Sequence, residues 1–128
     1  LEHFHQVLWL LQARGLVLRR DDKDLYVQSL RREIRTGADH YFLDRLIVAG
    51  IVEARGCERF GQVAEALEPG KLRDFYREIA RSESQHHGVF YRLARRYFDS
   101  AAVEARQSVL LDREAEILST LPVRPAVH

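Results

Sequence analysis

The chain reads as an all-α helical bundle with a long crossover connection. Three observations predict this. Apolar residues recur at steps of three and four along several stretches, as on one face of a helix. No stretch alternates convincingly at period two, so strand signals are absent. Gly37, the Glu68-Pro69-Gly70 run and Gly15 fall between the periodic stretches, where helices stop.

The elements follow in order. Residues 1–14 carry Phe4, Val7, Leu8 and Leu11 at helical spacing, with Gly15 as the stop. This helix begins in mid-pattern and looks truncated at its N-terminal end. Residues 16–23, with Arg19-Arg20-Asp21-Asp22, form a polar link of the length expected for a crossover. A shorter helix is predicted at about 24–35 on Leu25, Leu30 and Ile34, closed by Gly37. One long helix is expected from Asp39 to about Leu67 and another from Lys71 to about Phe98. Asp99-Ser100 offers a cap for a last helix at about 101–119, carrying Val103, Val109, Leu110 and Ile117. Residues 1–120 then form one domain, and residues 121–128, with two prolines, a loose tail.

Bulk properties narrow the class. At 128 residues, 46% hydrophobic and 30% charged, the chain has the composition of one soluble globular domain with a proper core. A net charge of +1 gives no global nucleic-acid signature. No apolar run reaches the length of a membrane span, so no membrane association is expected. The single cysteine, Cys57, excludes an internal disulfide and fits a reducing cytoplasm.

The chemistry-bearing stretch is Ser82-Glu83-Ser84-Gln85-His86-His87. Glu83 and His86, three apart, share a helix face, so a carboxylate and an imidazole can grip one metal ion from one helix. They continue the stripe Phe75, Ile79, Glu83, His86, Phe90, Leu93 and Tyr97, which places them toward the core. Glu53 lies fifteen residues before Glu68, and Glu83 fifteen after it. In an antiparallel hairpin turning there, both carboxylates stand level, about 22 Å from the turn. Buried acids of this kind are costly unless paired or bound to a metal. Glu53 sits on a matching stripe with Leu46, Gly50, Cys57 and Phe60. Glu58 is a rival on the same helix, about 140° round from Glu53, so the two cannot point equally inward. Cys57 reads as a small core residue one turn from Glu53, and His87 as a surface residue.

Di-iron carboxylate bundles take one Glu from each of two helices and one E-x-x-H from each of the other two. Glu53, Glu83 and His86 form half of such a set. For the other half, Glu2 and His5 make a literal E-x-x-H. The alternative register uses His3, whose Glu partner would precede Leu1. Val7 and Leu10 follow His3 at +4 and +7, as Phe90 and Leu93 follow His86, which favours His3.

Three stretches, His3-Phe4-x-Gln6-Val7, Ile51-Val52-Glu53-Ala54-Arg55-x-Cys57-Glu58-Arg59-Phe60 and Ser82-Glu83-x-x-His86, resemble the bacterial tRNA 2-methylthio-isopentenyladenosine hydroxylase (MiaE-like) family. The resemblance covers roughly residues 1–98, and the E-A-R-x-C-E-R-F segment is its most specific part. It implies a ferritin-like four-helix bundle and a non-haem di-iron monooxygenase, with His3, Glu53, Glu83 and His86 at metal-ligand positions. It further implies two iron ions, O₂ as co-substrate, a tRNA substrate hydroxylated on its isopentenyl side chain, and a separate electron-donor reductase. The family's first-helix Glu and the Glu paired with His3 have no counterpart in this sequence.

Two other readings remain open. One is a different ferritin-like protein, a ferroxidase or a rubrerythrin-type peroxidase, which needs no large substrate pocket. The other is a metal-free helical interaction module with an accidental E-x-x-H. The arginines Arg31, Arg32, Arg35, Arg73, Arg77, Arg81, Arg92, Arg95 and Arg96 are numerous, and the last three could meet tRNA phosphates. Ordinary surface charge explains them equally well, and nothing in the sequence speaks to oligomeric state.

Overall fold

The computed structural model describes residues 2–86 and 88–123. Among these, the chain forms six helices and no strand: α1 Glu2–Ala13, α2 Leu25–Arg32, α3 Ala38–Ala66, α4 Lys71–Ser84, α5 Val89–Tyr97 and α6 Ser100–Thr120.

Local chemistry fixes most of the boundaries. Gly15, at φ 67°, ends α1, where its N–H donates to the Gln12 carbonyl at 3.0 Å and that of Leu16 to the Leu11 carbonyl at 2.9 Å. This pair of hydrogen bonds closes a helix on a left-handed residue, a conformation glycine adopts without a Cβ penalty. Residues 16–24 then run without regular structure to Asp24, whose carboxylate accepts from the Val27 N–H at 3.2 Å and caps α2. Arg31 and Arg32 occupy the last turn of α2, favourable to its dipole. At the last helix, Asp99 stands at the N-cap, but its side chain makes no capping bond.

α3 and α4 form the expected antiparallel hairpin. The turn falls at residues 67–70, and the pairs across it step outward in register. Phe60 faces Tyr76, with ring centroids 6.2 Å apart, and the Cys57 thiol donates to the Ala80 carbonyl at 3.4 Å. α5 and α6 pack on the first half of α3, with α2 against both α3 and α6. The main core lies there, on Tyr26, Leu30, Leu43, Leu46, Ile47, Val48, Ile51, Ala94, Val103 and Leu110. Leu121, placed in the loose tail by the sequence, packs against this cluster, and residues 124–128 of the tail lie outside the described part.

The predicted helix over residues 71–98 is two helices. After Ser84 the backbone tightens to three-residue hydrogen bonds, Gln85 N–H to Ser82 O at 3.2 Å and His86 N–H to Glu83 O at 2.9 Å. The Ser84 hydroxyl donates to the Arg81 carbonyl at 2.7 Å, a local bond that competes with the helix ladder. Gly88, a poor helix residue, follows immediately. The regular ladder resumes at Val89.

Two acids are buried outright. Asp44 accepts from the Arg35 backbone N–H and from both Arg35 and Arg106 guanidinium groups, all at 2.9–3.0 Å. It thereby ties the α2–α3 link to α6. Burial works against the charge, but these donors outweigh it and hold the Asp44 carboxyl at about 2. Glu114 on α6 accepts from Arg55 Nε at 3.0 Å and from Arg55 Nη2. Tyr26 joins that pair, and burial, with Glu114 adding to it, drives its phenol upward.

Candidate metal centre

The hairpin register delivers Glu53 from α3 and Glu83 from α4 to the same level. The Glu53 carboxyl is pushed up by burial and further by a hydrogen bond and charge repulsion from Glu83, while His86 pulls the other way. Two carboxyl groups this close in a half-buried place form a site that a cation would relieve.

Glu83 is the hub. His3 Nδ1, from α1, lies 3.8 Å from Glu83 Oε1, and His86 Nδ1 lies 3.9 Å from Glu83 Oε2. The tightened backbone after Ser84 contributes here, because three-residue turns eclipse side chains at i and i+3. The E-x-x-H pair therefore sits at the helix break rather than on a continuous helix. Cys57 lies close by, and burial pushes its thiol up, with the Glu83 charge adding to the effect.

One expectation fails. The apolar stripe placed His86 toward the core, but its side chain is 61% exposed, against 25% for Glu83. Because the helix is interrupted between residues 84 and 89, the period that aligned His86 with Phe90 and Leu93 does not run through it. Tyr97, the last member of the stripe, is exposed as well.

The alternatives left open by the sequence separate in space. Glu58 is exposed and paired with Arg55 Nη1 at 2.7 Å, so it turns away from Glu83. His5 lines a separate cleft of about 600 Å³ between α1 and α4, whose walls include Trp9, Leu10 and Phe75. His3, not His5, faces Glu83. His87 lies outside the described residues. Among the described residues, no three His, Cys, Asp or Glu side chains are gathered closely enough to grip a cation as they stand. The donor set, two carboxylates and two imidazoles disposed around Glu83, nevertheless has the chemistry that suits iron.

A second feature adjoins Glu53. Between α2 and α3 lies a pocket of about 210 Å³ lined by Val27, Ile34, Val48, Ala49, Val52, Arg31, Arg45 and Glu53. Nothing in the sequence pattern points to it, since the α2 wall comes from a short helix with no local link to the motif. Of the arginines singled out from sequence, Arg35 is committed to Asp44 and Arg81 to Glu78, whereas Arg92, Arg95 and Arg96 are exposed on α5. No helix is long and apolar enough to cross a membrane.

Known proteins resemble this chain over most of its length. The chain is 32% identical over 120 residues to a Pseudomonas putida tRNA 2-(methylsulfanyl)-N(6)-isopentenyladenosine(37) hydroxylase, covering 94% of this chain and 58% of that protein. It is 32% identical over 133 residues to the Salmonella typhimurium protein of the same name, covering 95% and 48%. It thus spans about half the length of these relatives. A Synechococcus protein described as having aldehyde deformylating oxygenase activity superposes with a TM-score of 0.88 at 35% identity, over 97% of this chain and 62% of that one. The helices are those of a ferritin-like bundle. Residues 1–128 match the tRNA-(MS[2]IO[6]A)-hydroxylase (MiaE) family throughout, and the chain belongs to that family.

Proposed function

We propose that the chain supplies Glu53, Glu83, His86 and His3 to a non-haem di-iron centre in an O₂-dependent hydroxylase. Its substrate is the isopentenyl side chain of 2-methylthio-isopentenyladenosine in tRNA. The convergence of Glu53, His3 and His86 on Glu83, in a member of this family, is the observation that carries the reading.

Iron bound there would supply O₂ activation for inserting one oxygen atom into a C–H bond. The overall reaction consumes O₂, two electrons and two protons, and yields the alcohol and water; the electrons come from a separate reductase in the cytoplasm. The residues of this chain set the site's charge and access. Glu53 and Glu83 bring negative charge that repels itself until a cation neutralises it. Cys57, Ile79 and the helix backbones around them limit water on the inner side. The pocket beside Glu53 supports a hydroxylase over a ferroxidase, which needs no organic substrate.

The test is elemental analysis of the full-length protein after anaerobic loading with ferrous iron, followed by nucleoside mass spectrometry of modified tRNA incubated with O₂ and a reductant. Two irons per chain and the gain of one oxygen on the modified nucleoside are expected. Protein that binds no iron would overturn the proposal.

A further inference from the structure

The pocket between α2 and α3 has walls of one chemistry and two polar ends. On α3, Arg45, Val48, Ala49, Val52 and Glu53 follow steps of three and one, a single helix face. Facing them, Val27 and Arg31 stand one turn apart on α2, and Ile34 follows in the α2–α3 link. The apolar side chains form the middle. Glu53, in contact with Glu83, closes one end, and Arg45, eight residues earlier and about 12 Å along the helix, marks the other.

Size limits what can enter. A dry cavity of roughly 150 Å³ is large enough for benzene. The 210 Å³ here therefore suits a branched five-carbon chain but not a whole nucleoside. The base and its phosphates must stay outside. What lies there is suited to them. Tyr41, 49% exposed, stands one turn before Arg45, whose guanidinium lies 5.8 Å from the ring centroid and donates to the Tyr41 hydroxyl at 3.3 Å. Exposed tyrosine faces and arginine planes are what unstacked RNA bases pack against. Arg31 lines the groove opposite, in the last turn of α2, with Arg32 next to it in the chain. Among the described residues, none of Arg31, Arg32 and Arg45 is held by a carboxylate, in contrast to Arg35, Arg55, Arg106 and Arg113. They are available to phosphate.

We propose that the α2–α3 groove is the recognition site for the modified adenosine. The isopentenyl chain lies among Val27, Ile34, Val48, Ala49 and Val52 and reaches toward Glu53. The base rests at Tyr41 and Arg45, and the neighbouring phosphates meet Arg31 and Arg45. This rests on the proposed function and names the surface through which it acts.

The experiment measures binding, so that it reads the groove without turnover. Full-length metal-free protein is titrated with two anticodon stem-loop RNAs, one bearing 2-methylthio-isopentenyladenosine and one bearing plain adenosine, by fluorescence anisotropy. Burial of the five-carbon chain gives the wild type at least about a tenfold preference for the modified RNA. Ala49→Phe, which fills the groove from α3, removes that preference while iron content after loading is retained; Ile34→Phe does the same from the α2–α3 link. Arg31→Glu/Arg45→Glu weakens both RNAs alike and flattens the salt dependence. If either groove-filling variant is folded and still prefers the modified RNA as the wild type does, the assignment is wrong, and the hydroxylase reading survives. If the wild type itself neither prefers the modified RNA nor hydroxylates it, both fail together.

Discussion

Gly50 on α3 lies directly beneath the ring of Tyr91 on α5, so closely that a Cβ on Gly50 would stand 2.8 Å from the Tyr91 Cζ. This contact sets how near α5 comes to the helix that carries Glu53, one turn further on. Helix propensity alone favours Ala over Gly in a helix interior by about 1 kcal/mol. The clash opposes it, and overpacking of this kind costs about 1–3 kcal/mol. Gly50→Ala is therefore expected to destabilise, read as a lower urea midpoint. Tyr91→Leu in the same background should recover part of the loss. A stabilised Gly50→Ala protein would show that the ring simply moves aside.

Asp44 gives the fold an acid-sensitive joint. Its folded carboxyl sits at about 2, below the usual value near 3.8, because the donors from Arg35 and Arg106 outweigh burial. A depressed carboxyl contributes stability that is present above the unfolded value and is lost as pH falls through the folded one. The window here runs from about pH 5 down to about pH 2, and the difference between the folded and unfolded carboxyl is worth about 2 kcal/mol. Urea titrations at pH 6 and pH 2.5 should show the wild type losing more stability than Asp44→Asn over that interval. At neutral pH, Asp44→Asn is expected to cost about 3–5 kcal/mol, because it leaves the Arg106 charge buried without its partner. Equal acid sensitivity in the two proteins would remove Asp44 from this role.

The hairpin was legible in the sequence because its signal is arithmetic. Glu68-Pro69-Gly70 marks the turn, and residues equidistant from it must meet, as Glu53 and Glu83 do. The proximity of His3 to Glu83 was not legible in the same way, because the likeness of Val7 and Leu10 to Phe90 and Leu93 assumed a helix running unbroken through His86, and that helix is interrupted. The break between α4 and α5 was hidden because the apolar period continues across it. Its causes, a serine bonding back to the Arg81 carbonyl and Gly88, are single-residue effects that a periodicity average absorbs. Asp44 and Glu114 were hidden for another reason. Glu114 and its partner Arg55 are 59 residues apart, and the partners of Asp44 lie 62 residues away and nine residues back across a non-helical link, so no helical spacing distinguishes either acid from a solvated one.

The donor set itself makes the sharpest comparison, because the neighbouring acids and histidines serve as controls. Glu83 touches every other proposed ligand, so Glu83→Ala should abolish iron retention altogether. Glu53→Ala removes the second carboxylate and should weaken retention at least about tenfold, the scale on which even outer-shell partners of a metal act. His86→Ala and His3→Ala should fall in the same range despite the exposure of His86. Glu58→Ala and His5→Ala, whose side chains turn toward Arg55 and the α1–α4 cleft, should bind iron as the wild type does. Iron per chain after desalting, measured on all six variants, decides the matter. Were Glu58→Ala or His5→Ala to lose iron while Glu53→Ala and His3→Ala kept it, the centre would be built on the other face of α1 and α3, and the register argument that places it at Glu83 would be wrong.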